Sequence, residues 1–150
     1  MDLFVVLKLV HVVAAITAVG SNLTYGFWMR RVGSADRDRL IWTIQGIRAL
    51  DRRIANPAYG LVLLTGLAMV VSGGFSFAAA WLSTAIVLYA AAVVIGIVVY
   101  APAIRRQLAA AEVDPGSEAY RRAAATTTTL GLVTTAIVLV IIFLMVVKPG

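Results

Sequence analysis

All eleven arginines of this 150-residue chain fall within residues 30–53 and 105–122, and long apolar runs with almost no charge lie around and between these stretches. Basic residues confined to short loops are typical of a protein that crosses a membrane several times. The composition agrees, because 61% of the residues are hydrophobic and 13% are charged, whereas soluble domains are roughly 45–50% apolar. We therefore assign the net charge of +6 to membrane loops, and we expect no nucleic-acid partner.

Four apolar segments are long enough to cross a bilayer, which takes about 20 helical residues. They cover approximately residues 3–28, 57–72, 81–101 and 123–147, the second with some help from the residues before it. Each span must be helical, because a single segment in lipid has to satisfy its own backbone polar groups. The sequence predicts an all-α fold, a transmembrane four-helix bundle in which residues 1–150 form a single integral membrane domain.

The arginine count of the loops predicts the orientation. The first loop carries seven arginines, the third carries four, and the second, residues 72–80, carries no charge. The positive-inside rule places loops one and three in the cytoplasm and both termini outside. The chain opens with Met1-Asp2 and lacks the basic residues that begin a signal peptide, so we expect the first span to be retained. The expected location is the bacterial plasma membrane, with several passes.

The first loop predicts an additional amphipathic helix over residues 39–55. Its apolar residues recur every three or four positions, as in Leu40, Ile41, Ile44, Ile47, Leu50 and Ile54, which is the helical period. This cytoplasmic helix either lies on the inner leaflet, with its arginines near anionic headgroups, or runs on into span two. We expect Asn56 to cap the next helix ahead of Pro57, and Ser117 to cap the last one.

Two ionisable residues, Lys8 and His11, lie within the first span, and their spacing puts them on one helix face. The same face continues through Ala18 to the polar residues Asn22 and Tyr25. Ionisable groups inside a membrane are costly and often functional. Two interpretations of His11 stay open, a ligand-binding role and a hydrogen bond to a neighbouring helix, while Lys8 is close enough to the end of the span to snorkel outward.

Small residues recur at intervals of four along three of the spans. The repeats are Ala14/Ala18, Asn22/Gly26, Ala92/Gly96 and Thr127/Gly131/Thr135. Small side chains let helix backbones approach closely in a membrane. We expect these positions to lie at helix–helix contacts.

Two stretches resemble a known family. KLVH at residues 8–11, followed by VVAAI and Gly20, and RRIANPAYGLVLLTGLAM at residues 52–69 resemble the small bacterial four-helix membrane proteins of domain-of-unknown-function family 2269. The resemblance covers most of the chain. It implies a four-helix membrane protein and carries no activity with it.

The same stretches are more distantly similar to the bacterial membrane protoporphyrinogen oxidase and to the copper-resistance D membrane domain. This resemblance implies a haem- or porphyrin-associated histidine at His11, with Lys8 beside it. The oxidase has Trp-Leu-His-x-Lys in its third helix, whereas this chain has Trp81-Leu-Ser-Thr-Ala85. We therefore expect a shared bundle and not a shared reaction, and we assign no catalytic residue.

Residue counts restrict any cofactor site. The chain has no cysteine and one histidine, which excludes thiolate ligands and a bis-histidine haem within one protomer. Met69 is expected at a depth comparable to that of His11. Histidine with methionine is an axial pair for haem, so haem b is a possible cofactor, and imidazole with thioether also suits copper.

Three functional classes remain. The favoured one is an accessory or structural membrane subunit that is surrounded by the lipid bilayer and forms a homo-oligomer or part of a larger membrane complex. The alternative is a haem-, porphyrin- or copper-binding membrane protein that uses His11, and the third is a small transporter or channel. Enzymatic activity is not expected, because no carboxylate lies in a predicted span to act as an acid or base.

Overall fold

The computed structural model describes residues 2–33 and 36–149, which form four long helices. They are α1 (Leu3–Val32), α2 (Arg37–Ser72), α3 (Ala80–Val113) and α4 (Glu118–Val147), each long and apolar enough to cross a membrane. The predicted all-α, four-span fold class is thereby confirmed. The 36 residues of α2 rise about 54 Å, whereas the hydrocarbon core is about 30 Å thick. The helices therefore extend well beyond the length that a span needs.

The two ends of the bundle differ in composition. We call the end that carries residues 30–53 and 105–122 the arginine-rich end, and the opposite end, where Phe4 and Lys148 lie, the terminal end. Capping side chains define where several helices begin. Asp36 accepts a hydrogen bond from the Arg39 backbone at 3.1 Å, and Ser117 caps α4 by accepting from the Tyr120 backbone at 3.1 Å, as predicted.

The amphipathic segment of the first loop is continuous with the second span. Residues 39–55 belong to α2, and the expected helix start at Asn56 is wrong, because Asn56 has helical φ and ψ of −63° and −45°. The turn Asp51–Ala55 is π-helical, and the Asn56 N–H donates to the Asp51 carbonyl five residues earlier. This wider turn accommodates Pro57, which has no N–H and whose ring would crowd the carbonyl four residues back.

A second π-turn interrupts α3 in the same way. It covers Ile95–Tyr100, and the Ala101 N–H donates to the Gly96 carbonyl immediately before Pro102. Beyond it α3 continues as an α-helix to Val113. Much of the expected third loop is therefore helical, and a short turn over residues 114–117 connects α3 to α4.

A hydrophobic core lies at the arginine-rich end and takes residues from all four helices. Leu40 and Ile44 are fully buried there, at 0% exposure. The arginines lie on the outer faces of the same helices, and all but the half-buried Arg48 are exposed. The buried members of this end core are Tyr25, Leu40, Ile44, Ile47, Ile104, Leu108, Ala111 and Tyr120.

The spans themselves pack as two pairs. α1 packs along the span of α2, and α3 packs along α4, with a smaller contact between α1 and α4. Within the described ranges, the span of α2 makes no close backbone approach to the span of α3. The bundle is therefore two helix pairs that join along α1 and α4 and at the end core.

Aromatic rings close the terminal end. The Phe75 ring lies 6.3 Å from that of Phe4 and 6.1 Å from that of Trp81. The Lys148 ammonium lies 5.2 Å from the Phe75 ring centroid and 5.4 Å from that of Trp81, within the range of cation–π attraction. This cluster joins the start of α1, the connection between α2 and α3, and the residue that follows α4.

We predict that Ile44→Ala lowers the free energy of unfolding by about 2–4 kcal/mol, because it leaves a cavity in the end core. Trp42→Ala on the same helix is the control, since Trp42 is 76% exposed and its loss should cost less than about 1 kcal/mol. Denaturant unfolding in detergent, followed by helical circular dichroism, measures both. Equal destabilisation by the two variants would contradict the assignment of the core.

Candidate functional site

His11 faces α2 and forms the first of three polar groups in the bundle. Its Nδ1 lies 3.0 Å from Thr65 Oγ1. The Thr65 hydroxyl also donates to the Leu61 carbonyl at 2.6 Å. The direction of the His11–Thr65 hydrogen bond follows the tautomer of the imidazole, and a protonated Nδ1 donates to Thr65 Oγ1 and leaves the lone pair on Nε2.

Gly66 gives the His11 ring its place against α2. A Cβ at Gly66 would lie 3.2 Å from His11 Cε1, which is tighter than ordinary van der Waals contact. The half-buried ring is thus held on one side by the Thr65 hydroxyl and on another by the glycine backbone. The sequence Leu-Thr-Gly in α2 supplies both features.

The other two predicted ligand residues lie at different places. Met69 is half-buried on α2, one helical turn beyond Thr65 toward the terminal end, and Lys8 is exposed. Within the described ranges, no cluster of three or more His, Cys, Asp or Glu residues could hold a metal ion. The chemistry available at this level is a single imidazole nitrogen, with the Met69 thioether one turn away.

The second polar group joins α1, α2 and α3. Asn22 Nδ2 donates to the Tyr59 hydroxyl at 2.6 Å, and the Tyr89 hydroxyl donates to the Tyr59 carbonyl at 2.6 Å. The predicted polar residue Asn22 therefore faces a neighbouring helix. A cavity of about 10 Å³ lies beside it, against Thr134 and Thr135 of α4, and offers room for at most about one water molecule.

The third polar group lies where the π-turn of α2 meets α1. Tyr25 is 7% exposed, and its buried hydroxyl has no hydrogen-bond partner among the residues that the structure describes. The Asp51 carboxylate lies within electrostatic range of the Tyr25, Tyr59 and Tyr100 hydroxyls. A buried hydroxyl without a partner costs about 1–3 kcal/mol, so Tyr25 marks a polar junction that is incompletely satisfied.

A further polar contact between α3 and α4 was not predicted. The Thr127 hydroxyl lies 2.7 Å from Gln107 Oε1, and Gln107 is 3% exposed. Thr126 instead hydrogen-bonds to the Arg122 carbonyl one turn earlier, as the run of threonines suggests. Gln107 escaped prediction because its segment was interpreted as a loop.

The three polar groups were only partly visible in the sequence. His11, Asn22 and Tyr25 share the predicted face of α1, and the structure places all three toward neighbouring helices. Their partners Thr65 and Tyr59 were missed, because a hydroxyl within an apolar run gives no signal of the helix that it will meet. Gly66, next to Thr65 in the sequence, was the residue that could have indicated a close approach of α1 to α2.

Comparison with known proteins gives one match. A family model described as a predicted integral membrane protein, DUF2269, matches residues 5–149. No curated protein and no solved structure matches the chain. The matched range contains all three polar groups and both π-turns.

Proposed function

The chain belongs to the DUF2269 family of predicted integral membrane proteins, and from that premise we propose that it is an accessory or structural membrane subunit. In this proposal it associates with a further transmembrane helix, either of a second copy or of a larger membrane complex. The contacts in this proposal are made at the small-residue positions Gly96 of α3 and Gly131 of α4.

The open space beside these glycines supports the proposal. A Cβ at Gly96 or at Gly131 would meet no atom within 4 Å, whereas one at Gly66 would press on His11. The small-residue repeats predict close helix contacts, yet both glycines are only half-buried and have open space where a side chain would project. A helix from another chain could approach the backbone there.

The spans also leave much of their apolar surface exposed within this chain. None of the most apolar window of α4 is buried, and 11% of the corresponding windows of α1 and α3 is. Lipid covers apolar side chains as well as protein does, so exposure alone does not drive association. Close van der Waals packing at glycine does drive helix association, and Gly96 and Gly131 offer positions for it.

A second candidate function, ligand binding at His11, has its own support. Histidines that bind metals usually donate the second ring N–H to a fixed acceptor, which orients the ring. When His11 Nδ1 carries the proton, Thr65 Oγ1 is such an acceptor and Nε2 keeps the lone pair. In this alternative His11 is an axial ligand for haem or a ligand for copper, with Met69 as the candidate thioether ligand.

We also propose an orientation, with the arginine-rich end in the cytoplasm, both termini outside, and the bacterial plasma membrane as the location. The support is the distribution of charge, because each helix carries one Arg-Arg pair toward the same end of the bundle. The pairs are Arg30-Arg31, Arg52-Arg53, Arg105-Arg106 and Arg121-Arg122. A bias of this kind sets the orientation of membrane proteins.

Cysteine cross-linking tests the accessory-subunit proposal, because the chain has no native cysteine. Gly131→Cys should form a disulfide-linked dimer in native membranes under mild oxidation if a second copy covers this face. Cross-linking to a different protein from Gly131→Cys with a thiol-to-amine reagent would identify a larger complex. Thr127→Cys, one turn away but 8% exposed, is the control and should stay monomeric. The absence of any Gly131→Cys product would contradict the proposal.

Thiol labelling of intact cells tests the orientation. A membrane-impermeant maleimide should label Ser76→Cys, in the connection between α2 and α3, without lysis. Glu112→Cys, near the end of α3, should be labelled only after the cells are opened. The opposite pattern would show that the arginine-rich end is outside.

Absorption spectra and metal analysis test ligand binding at His11. Protein purified from haem-replete, copper-supplemented cells should show a Soret band or bound copper, and His11→Ala should lose it. Gly66→Ala should weaken retention by displacing the ring, whereas Gly60→Ala, where a Cβ would meet nothing within 4 Å, should not. Colourless, copper-free wild-type protein would contradict this second function and leave the first intact.

A further inference from the structure

An apolar groove runs along the outside of the α1–α2 pair. Its volume is about 460 Å³, and it is lined by Leu9, Val10, Val13, Ala14 and Thr17 of α1 and by Pro57, Ala58 and Leu61 of α2. Thr17 is the single hydroxyl among these lining residues, and it donates to the Val13 carbonyl of its own helix at 2.9 Å. The groove therefore offers volume typical of ligand sites, about 300–1,000 Å³, and little to hydrogen-bond. It suits a hydrocarbon chain.

The residues that line the groove belong to the apolar spans of α1 and α2. Along α2, Pro57 lies about 22 Å and Arg53 about 28 Å from Ser72, the last residue of the helix. The hydrocarbon core is about 30 Å thick. With Ser72 taken as one edge of that core, the groove lies within it and Arg52 and Arg53 lie near its opposite edge.

The two arginines stand directly beyond the groove. Pro57 and Leu61 line the groove, and Arg53 precedes Pro57 by about one turn of α2, within the π-turn Asp51–Ala55. Arg52 and Arg53 are both exposed. Neither forms a salt bridge within the part of the chain that the structure describes. Their charge is therefore open to an external anion.

The pair Arg121-Arg122 on α4 provides a contrast. Arg121 lies 2.6 Å and Arg122 lies 2.9 Å from the oxygens of Glu118. These hydrogen bonds lower the pKa of Glu118 below its ordinary value, and the bond from Arg121 has the larger effect. Glu118 is thus ionised at neutral pH and offsets part of the charge of this pair.

We propose that the groove and Arg52-Arg53 form one binding site for an anionic phospholipid in the leaflet at the arginine-rich end. One acyl chain lies in the groove between α1 and α2, and the phosphate contacts the two guanidinium groups. Guanidinium groups bind phosphate through paired N–H donors, and basic sites between transmembrane helices favour anionic headgroups. The site is independent of the accessory-subunit proposal and of which side of the membrane the arginines face.

Native mass spectrometry of the detergent-purified protein tests the headgroup half. The probes are phosphatidylglycerol and phosphatidylcholine with identical acyl chains. We expect the wild type to bind phosphatidylglycerol about tenfold more tightly, and Arg52→Gln/Arg53→Gln to reduce this preference to about twofold or less. Arg121→Gln/Arg122→Gln, matched in charge removed, should leave it unchanged. Equal binding of the two lipids by the wild type would overturn the proposal, and so would equal losses in both double variants.

Variants of α1 test the acyl-chain half. Val13→Phe places a ring in the groove from a residue that is 54% exposed, and it should weaken binding of both lipids at least threefold. Val12→Phe adds the same ring at a position that is 45% exposed and outside the groove lining, and it should have no effect. If Val13→Phe bound both lipids as tightly as the wild type does, the placement of the acyl chain in the groove would be overturned.

A competition assay on the wild-type protein tests the headgroup and the acyl chain without any substitution. Lysophosphatidylglycerol, with one acyl chain, should displace phosphatidylglycerol, because the groove holds one chain. Soluble glycerol phosphate should not displace it at the same concentration. Displacement by glycerol phosphate alone would mean that the arginines bind free phosphate and that the groove takes no part.

Discussion

Burial of apolar side chains away from water, at the arginine-rich end, is the interaction on which the bundle depends. Between helices inside a bilayer the hydrophobic effect gives no net attraction, because lipid tails are as apolar as the side chains they would replace. α2 and α3 avoid this limit by continuing past the length of a span into the end core, where Ile44, Ile47, Ile104 and Leu108 meet. Water drives association there. The membrane portions then need only a few specific contacts, such as His11 with Thr65 and Asn22 with Tyr59, to fix which faces meet.

Pro57 and Pro102 lie where the membrane portions of α2 and α3 pass into the end core. A proline within an α-helix usually bends or ends it, yet α2 passes Pro57 and α3 passes Pro102 with a π-turn just before each. In both helices the residue ahead of the proline donates to the carbonyl five residues earlier. The extra residue of a π-turn turns the helix on its axis, so the face that meets the bundle in the membrane differs from the face that enters the end core. π-turns are frequent at functional positions, and here Asp51 begins one of them near Tyr25, whose hydroxyl has no hydrogen-bond partner among the described residues.

Sequence patterns predicted the parts of this structure that depend on one helix at a time. Hydropathy predicted the four spans, and the three- and four-residue spacing of Leu40, Ile44 and Ile47 predicted the helix that supplies three of the eight buried residues of the end core. The matching helix after Pro102 was not predicted, although Ile104, Leu108 and Ala111 have the same spacing. The reason is that a proline followed by two arginines is typical of the end of a span. Asn56 was wrongly assigned as a cap, since the rule for Asn-Pro describes an α-helix and does not include a π-turn. Facing partners, such as Gly66 for His11, depend on the register between two helices, which a single sequence does not contain.

The aromatic cluster at the terminal end brings the regions of Phe4 and Lys148 close together in space. Phe4 near the start and Lys148 near the end both contact the ring of Phe75, which lies in the connection between the second and third helices. A short linker between the regions of Phe4 and Lys148 would therefore close the described chain without moving a helix. Such a closed chain could be opened at the short turn of residues 114–117 instead, as folds with adjacent termini allow. The order of the helices along the polypeptide is thus separable from their arrangement in space, and the same packing is compatible with a circular permutation of the sequence.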